Sequence, residues 1–586
     1  MLKILKNLKA KDWLLLLLSL VVIIGSVYLD LLLPDYIKDI TIIIESNPEN
    51  IQGVIAAGFK MLFCALAGTA LTIVSGFITA YVSADLSYNV REKLFNHVID
   101  LDTKTLNDIS IPSLITRTTN DITQIQMFIS MGLTMLIKSP ILAVWAIIKI
   151  VNKSMQLSLV TAIAVVVILL TIIIIMRLVI PRIKKVQKLT DEVNRVAREN
   201  LSGIKVVKAF NADIYEEEKF DEVNTNLVDI QKFNRTAFSF INPVLSLVMS
   251  SLTLVIYWLG AYLIDKANLF DKITLFSDVM VFGSYALYVI QAFMFLAMVF
   301  MILPNAHVSA TRINEVLNKV ITLKEGSKEV VTDRKGEIEF KNVSFHYGDG
   351  DNIVSNLNFK INMGETTAII GPTGSGKTTI LNLMNRLIDP TEGEILIDGE
   401  NIKNYPFEKL YKKVVIVPQK NLLFSKTIKD NIIFGDDKNQ ITDDDVMKAI
   451  EISQAKEFVE KLPNGIDTYL AEGGNNLSGG QKQRLAIARA IARNSEILLF
   501  DDSFSALDYK TDSLLRHELK TKLNNTTCVI VAQRIGTIKN ADRIIVIDDG
   551  KIVGMGKHKE LLNTCPLYYE IASSQLSEEE LMKGDE

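Results

Sequence analysis

The chain has 586 residues, 49% of them hydrophobic and 22% charged, with a mean hydropathy of +0.25. It is too apolar for an ordinary soluble chain of this size and too charged to be membrane throughout. A net charge of −4 shows none of the basic bias that nucleic acid selects. Cys64, Cys528 and Cys565 lack ligand-like spacing and read as reduced thiols or packing residues, and no histidines form a metal-spaced pair.

Four lysines precede Asp12, and an apolar run follows over 13–33. The run is longer than a signal-peptide core and has no small-residue cleavage site, so it reads as an uncleaved first transmembrane helix. Stretches of spanning length recur at about 61–82, 128–150, 156–180, 241–264 and 275–303. Six spans place both ends on one side. The segment 177–240 holds twelve Lys and Arg, whereas 34–50 holds only Lys38 against Asp35, Asp39, Glu45 and Glu49. By the positive-inside rule the N-terminus, the two long loops and the C-terminal domain are cytoplasmic.

Those loops, 83–127 and 181–240, are helix-patterned with few Gly or Pro. Membrane helices are expected to run on into the cytoplasm and turn back over short helices, at 107–114 and 211–219. Such levers can touch a cytoplasmic domain. Residues 1–303 then form the transmembrane domain, 304–335 a polar linker, 336–575 a soluble domain and 576–586 a polar tail. Short β-rich segments at 337–340, 366–370, 394–397, 414–417, 497–500, 527–531 and 543–547 predict an α/β core with a mainly parallel sheet.

Gly371-Pro-Thr373-Gly374-Ser375-Gly376-Lys377-Thr378 follows one of these strands, opens a helix with Thr379, and matches the P-loop pattern. Its glycines let backbone N–H groups wrap phosphates, and the helix N-terminus adds a positive dipole. Lys377 is expected on the β- and γ-phosphates of ATP and Thr378 on Mg²⁺. Gln419 ends the strand 414–417 and is a candidate sensor of Mg²⁺ or water. Asp501 closes the apolar strand 497–500 as a Mg²⁺ partner, and Ser505-Ala-Leu-Asp508 lies just beyond. Leu477-Ser478-Gly479-Gly480-Gln481 precedes a helical run, and Tyr347 lies upstream, where its ring can stack on adenine.

With these elements in this order, the chain resembles the ABC transporters, and Leu477–Gln481 is similar to that family's signature motif. Six spans ahead of one cassette match the half-transporter arrangement of bacterial multidrug-type exporters. Ser113-Leu-Ile-Thr-Arg-Thr-Thr-Asn-Asp121 and Asp191-Glu-Val-Asn-Arg195 look like their intracellular loops. The resemblance implies an α-helical six-span transmembrane domain with long cytoplasmic helical extensions, fused to an α/β P-loop ABC nucleotide-binding domain. It also implies a head-to-tail cassette dimer, in which each ATP lies between one P-loop and the other chain's signature motif.

Two positions depart from the family pattern. Asp502 stands where the family usually carries the glutamate general base, and Gln533 stands where it carries a γ-phosphate-sensing histidine. The shorter acid sets its carboxylate back by roughly 1.5 Å, one C–C bond. Gln533 hydrogen-bonds phosphate but carries no charge. The chain therefore looks like the degenerate-site subunit of a heterodimeric exporter of hydrophobic or amphipathic compounds, paired with a half-transporter bearing Glu and His. The alternatives are a slow homodimeric lipid or peptide exporter, although no peptidase-like segment precedes the first span, and a membrane-bound ATP sensor.

Charges in the spans are read as follows. Asp30, Lys149 and Asp278 lie near span ends and are expected to snorkel; Lys138 lies deeper and is a weaker candidate for the central cavity. The sixth span is rich in Met and aromatic residues, including Tyr288 and Met294, a composition that suits ordinary helix packing better than a ligand surface.

Overall fold

The computed structural model of the chain describes residues 2–46, 49–151, 155–267, 272–327, 335–348, 350–436 and 440–577. Part of the expected linker and most of the expected tail, 328–334 and 578–586, lie outside the described residues. The chain divides into two compact units, one of Met1–Ile99 with Ile109–Lys319, the other of Asp100–Asp108 with Val320–Glu586.

Among the described residues, the first unit contains six helices long and apolar enough to cross a membrane: Ala10–Glu45, Ile51–Ile99, Ile111–Val151, Met155–Ser202, Asp213–Lys266 and Lys272–Leu317. Each contains one expected span. At about 1.5 Å per residue the 49-residue second helix is roughly 70 Å long, against about 30 Å of hydrocarbon. The surplus is the expected cytoplasmic extension. The sixth helix likewise runs on to Leu317, so the first part of 304–335 is helix.

The short helices at the far ends differ from expectation. The first is Thr103–Ile109 and begins before 107, because the Asp102 carboxylate caps it, accepting from the Thr105 N–H at 2.8 Å and the Thr105 hydroxyl at 3.0 Å. Ser110, at φ 66°, breaks the chain before the next helix. The second is Ile204–Ala209, ahead of 211; Asn211 takes φ 50°, and Asp213 opens the long helix that 211–219 partly covers.

The sixth helix is the core of this unit. Phe282, Tyr285, Ala286 and Val289 are buried against Val27 and Leu31 of the first helix and Leu142 and Ala146 of the third. The charges expected to snorkel also pair between helices. Asp30 meets Lys138 at 3.2 Å, Asp35 meets Lys149 at 2.6 Å, and Lys38 meets Asp278 at 2.8 Å. At the inner end, a π-helical turn over Arg117–Asp121 brings Asp121 to Ser309 Oγ at 2.9 Å and Arg117 to Glu315 at 2.9 Å.

Among the described residues, the second unit carries ten strands: β1 Ile338–Phe345, β2 Val354–Ile361, β3 Thr366–Ile370, β4 Glu392–Ile397, β5 Glu400–Asn401, β6 Val414–Val417, β7 Ile497–Asp501, β8 Thr527–Val531, β9 Arg543–Asp548 and β10 Lys551–Gly556. They form a four-stranded sheet, β2-β1-β4-β5, and a six-stranded sheet, β10-β9-β3-β8-β7-β6. In the larger sheet β9-β3-β8-β7-β6 are parallel and β10 is an antiparallel edge. Both faces are buried, alternating along each strand: Leu498, Phe500 and Ile530 enter one core, and Ile497, Leu499 and Val529 the other. β2, β5 and β10 were not expected.

Candidate nucleotide site

Four parallel strands deliver the site at their carboxyl ends, where α/β sheets generally place ligands. The P-loop leaves β3, Gln419 follows β6, Asp501 ends β7 and Gln533 follows β8. The structure therefore brings together residues separated by more than a hundred positions in sequence.

Gly376 has φ 94° and caps helix α1, Lys377–Met384; an added Cβ there would stand 2.8 Å from Val354 Cγ1. Buried Lys377 turns back on the loop and donates to the carbonyls of Gly371 at 2.9 Å and Pro372 at 2.6 Å and to Ser375 Oγ at 3.3 Å. Burial pushes its ammonium below the usual lysine range, opposed by Asp502 and Asp501. Thr378 Oγ1 donates to Asp501 Oδ1 at 3.0 Å. Burial pushes the Asp501 carboxyl above its ordinary value, partly offset by that hydroxyl. Tyr347 stands edge-on to Phe345, centroids 4.7 Å apart, and is 38% exposed.

Asp502 is the hinge of the site. Its φ is 48°, its N–H donates to Val531 O at 3.0 Å, and its side chain leaves the sheet edge. Oδ2 accepts from Gln419 Nε2 at 3.4 Å and from Gln533 Nε2 at 3.3 Å. Burial raises this carboxyl too, and the hydrogen bonds from Gln419 and Ser505 lower it. The carboxylate is held by two neutral amides, the second at the position the resemblance assigns to histidine.

Helix α2, Gly479–Ala492, begins in the signature segment: Ser478 Oγ accepts from the Gln481 N–H, and Gln481 Oε1 accepts from the Ser478 N–H at 2.9 Å. An added Cβ on Gly480 would lie 3.2 Å from Ala506 O, so this glycine permits close packing on the loop after Asp502. Asp508 caps helix α3, Tyr509–Lys522, accepting from the Thr511 N–H at 3.0 Å, which lowers its pKa. Among the described residues, the hydrogen bonds of Leu477–Gln481 stay within the segment and its neighbouring turns.

Two residues escaped the sequence reading. Gln575, just past the helix Pro566–Ser573, donates from Nε2 to Gln533 O at 2.8 Å and accepts the Ile535 N–H on Oε1 at 2.8 Å. It clasps the segment that carries Gln533. Buried Arg386, at φ 52°, follows α1 and donates to the carbonyls of Ile402, Tyr405 and Lys324 and to Asp389. Neither lies in a motif, and a lone glutamine or arginine gives no sequence signal.

Residues 13–303 match the ABC transporter transmembrane region family, and residues 354–505 match the ABC transporter family. The chain belongs to the ABC transporters. The ATP-dependent lipid A-core flippase of Haemophilus influenzae is 32% identical to it over 86% of this chain and 85% of that protein. A putative multidrug export ATP-binding/permease protein of Staphylococcus aureus is 31% identical over 89% of each. The solved structure of a bacterial Atm1-family ABC exporter with ATP bound has the same fold, with a TM-score of 0.80, 24% identity and coverage of 96% of this chain and 98% of that one. This ABC transporter is an exporter half-transporter, a multi-pass protein of a bacterial inner membrane with an ATP-binding cassette of the ATP-hydrolysing type.

Proposed function

We propose that this half-transporter is the ATP-holding member of a heterodimer that exports apolar or amphipathic compounds. One observation carries the reading: a single Asp502 oxygen is tied to the amides of both Gln419 and Gln533. A general base must be free to take a proton and placed to reach water. Asp502 is short, and neither amide supplies charge.

The binding residues are intact. Gly371, Thr373, Gly374, Ser375, Gly376, Lys377 and Thr379 cradle the phosphates, and Tyr347 takes the adenine. Thr378, Asp501 and Gln419 offer the hard oxygen donors that Mg²⁺ prefers. When bound there, Mg²⁺ supplies charge neutralisation on the phosphates. Ser478 and Gly480 serve the partner's ATP, and Asp508 shapes the loop beside them. Cassette closure swings the membrane helices from inward- to outward-facing. Amphipathic cargo fits the names of the relatives, a lipid A-core flippase and a multidrug export protein.

The test is ATP turnover by this chain purified alone, with nucleotide binding measured in parallel. Binding with negligible turnover is expected, rising when a partner bearing Glu and His is added. Brisk turnover by the chain alone makes the homodimer the correct reading.

A further inference from the structure

The helix Ile535–Ile538 is a single turn that follows Gln533 and Arg534 out of β8. A helix leaves its first N–H groups without intrahelical partners, and the N-cap side chain usually meets one of them. Here the N-cap is Arg534, and among the described residues its side chain makes no such bond. The Ile535 N–H is met instead from 40 residues further along the chain, by Gln575 Oε1 at 2.8 Å. The other end of the same carboxamide, Nε2, donates to the Gln533 carbonyl at 2.8 Å. One side chain thus bridges the residue that enters the site and the turn that follows it.

Gln575 can hold this segment because its own backbone is fixed. The preceding helix, Pro566–Ser573, buries Tyr568 and Ala572 completely, and Leu576 packs on the same core. The N–H groups of Gln575 and Leu576 both donate to the Ala572 carbonyl, at 3.1 and 2.9 Å. On the other side, the Ala532 N–H ties the segment to the sheet through Ile369 O at 3.3 Å. Between these anchors the Gln533 side chain extends to Asp502, its Nε2 3.3 Å from Oδ2. Gln533 is exposed, so its place is set by its backbone and not by packing around the side chain. Gln575 is exposed too, and therefore acts through its two hydrogen bonds.

We propose that Gln575 is a positioning residue for γ-phosphate recognition: by fixing the backbone of Gln533, it holds the Gln533 carboxamide where a triphosphate bound at the P-loop ends. The proposal rests on the reading that Gln533 faces the γ-phosphate, and it adds the residue that keeps it there. Gln533 carries its amide at the end of a flexible side chain, so a released backbone lets the amide drift. A contact lengthened by about 1 Å is no longer a hydrogen bond. The segment after the last helix thereby takes part in telling ATP from ADP, because only ATP presents the phosphate that Gln533 meets.

The experiment is equilibrium binding of ADP and of AMP-PNP, each with Mg²⁺, to the full-length chain. AMP-PNP keeps a γ-phosphate and resists hydrolysis, so the result does not depend on turnover. Gln575→Ala is expected to weaken AMP-PNP binding roughly three- to tenfold, the scale of one hydrogen bond, and to leave ADP binding unchanged. Gln533→Ala should give the same selective loss, and the double variant no more than either single, since all three remove one contact. Gln575→Glu keeps the bond from the Ile535 N–H but cannot donate to Gln533 O, so its ratio of AMP-PNP to ADP affinity should match that of Gln575→Ala. It carries the test if the alanine variant binds no ADP and is therefore unfolded. Equal losses for both nucleotides, an additive double variant or a parental ratio in Gln575→Glu overturns the proposal and leaves Gln575 a purely structural clasp. A parental ratio in Gln533→Ala refutes instead the reading beneath it, because Gln533 then makes no γ-phosphate contact to be positioned.

Discussion

The Asp502 reading makes a quantitative demand on the double variant Asp502→Glu, Gln533→His. Lengthening the side chain by one methylene advances the carboxylate by roughly 1.5 Å. A well-placed general base contributes about 10²–10⁴-fold to rate. The gain is held near the lower bound by Gln419, which remains as a donor to the carboxylate, now 3.4 Å from Oδ2. Asp502→Glu alone must also break the 3.3 Å bond from Gln533, a cost of about 0.5–1.5 kcal/mol, so part of its benefit is hidden. Gln533→His alone removes that tether but leaves the short acid behind. The double variant should therefore exceed the product of the singles, as coupled neighbours do, and reach about 10² times the parent turnover, the lower figure for a base. Phosphate release by the purified chain is the assay, with ATP binding confirmed for each variant and Lys377→Ala as the blank. A double variant within about twofold of the parent while still binding ATP refutes the claim that these side chains limit the site.

Three further outcomes are expected from the structure. Burial raises the Asp501 carboxyl above its ordinary value, so ionising it costs folding free energy. Its unfavourable contribution is absent at low pH and appears as pH climbs from the usual aspartate range through the raised native value; Asp501→Asn should remove this decline in thermal melts without nucleotide, while Mg²⁺-dependent ATP binding falls. Gln575→Ala severs two 2.8 Å bonds to the Gln533 segment and should lower cassette stability by about 1–3 kcal/mol in denaturant titration, with Gln575→Glu recovering only the bond from the Ile535 N–H. Lys138→Met strands Asp30 near the end of its span, at a cost below the roughly 2.5–3.5 kcal/mol of a mid-bilayer charge, and should lower the yield of folded protein in size-exclusion chromatography; adding Asp30→Leu should restore it.

The architecture was legible because its signals are long or dense. Six apolar runs survive any local ambiguity, and the strands β3, β6 and β8 match their expected spans residue for residue, being short segments rich in β-branched residues. β2 was missed although Val354, Leu357, Phe359 and Ile361 point inward, because four polar residues, two of them asparagines, interrupt the run. β10, with two glycines and an alternating exposed pattern, reads as loop. The turn positions slipped for a different reason: helical periodicity is continuous across 83–127, and only the Asp102 cap and the φ of Ser110 break it. In the site, motif residues were found because phosphate chemistry restricts them. Gln575 and Arg386 were not, since they act through backbone carbonyls and N–H groups, and any sequence has those.

The same distinction bears on what the two departures mean. Asp501, Thr378 and Lys377 form one connected set, and changing any of them removes a hydrogen bond or a charge that the others feel. Asp502 and Gln533 form a second set, joined to each other and to Gln419, and clasped from behind by Gln575. The two sets meet through charge, since Asp502 and Asp501 both oppose the effect of burial on the Lys377 ammonium. The proposed separation of binding from hydrolysis predicts that changes at Asp502 and Gln533 alter turnover far more than ATP affinity. The signature segment belongs to neither set: its hydrogen bonds run within its own helix start, and its glycine packs against Ala506. A chain that turned over ATP only at its own site would gain nothing from keeping that segment intact. Its integrity is explained if the ATP it serves is held by another chain, so Ser478→Arg should depress turnover of the assembled pair more than Lys377→Ala does. The reverse order would place productive hydrolysis at this chain's own P-loop.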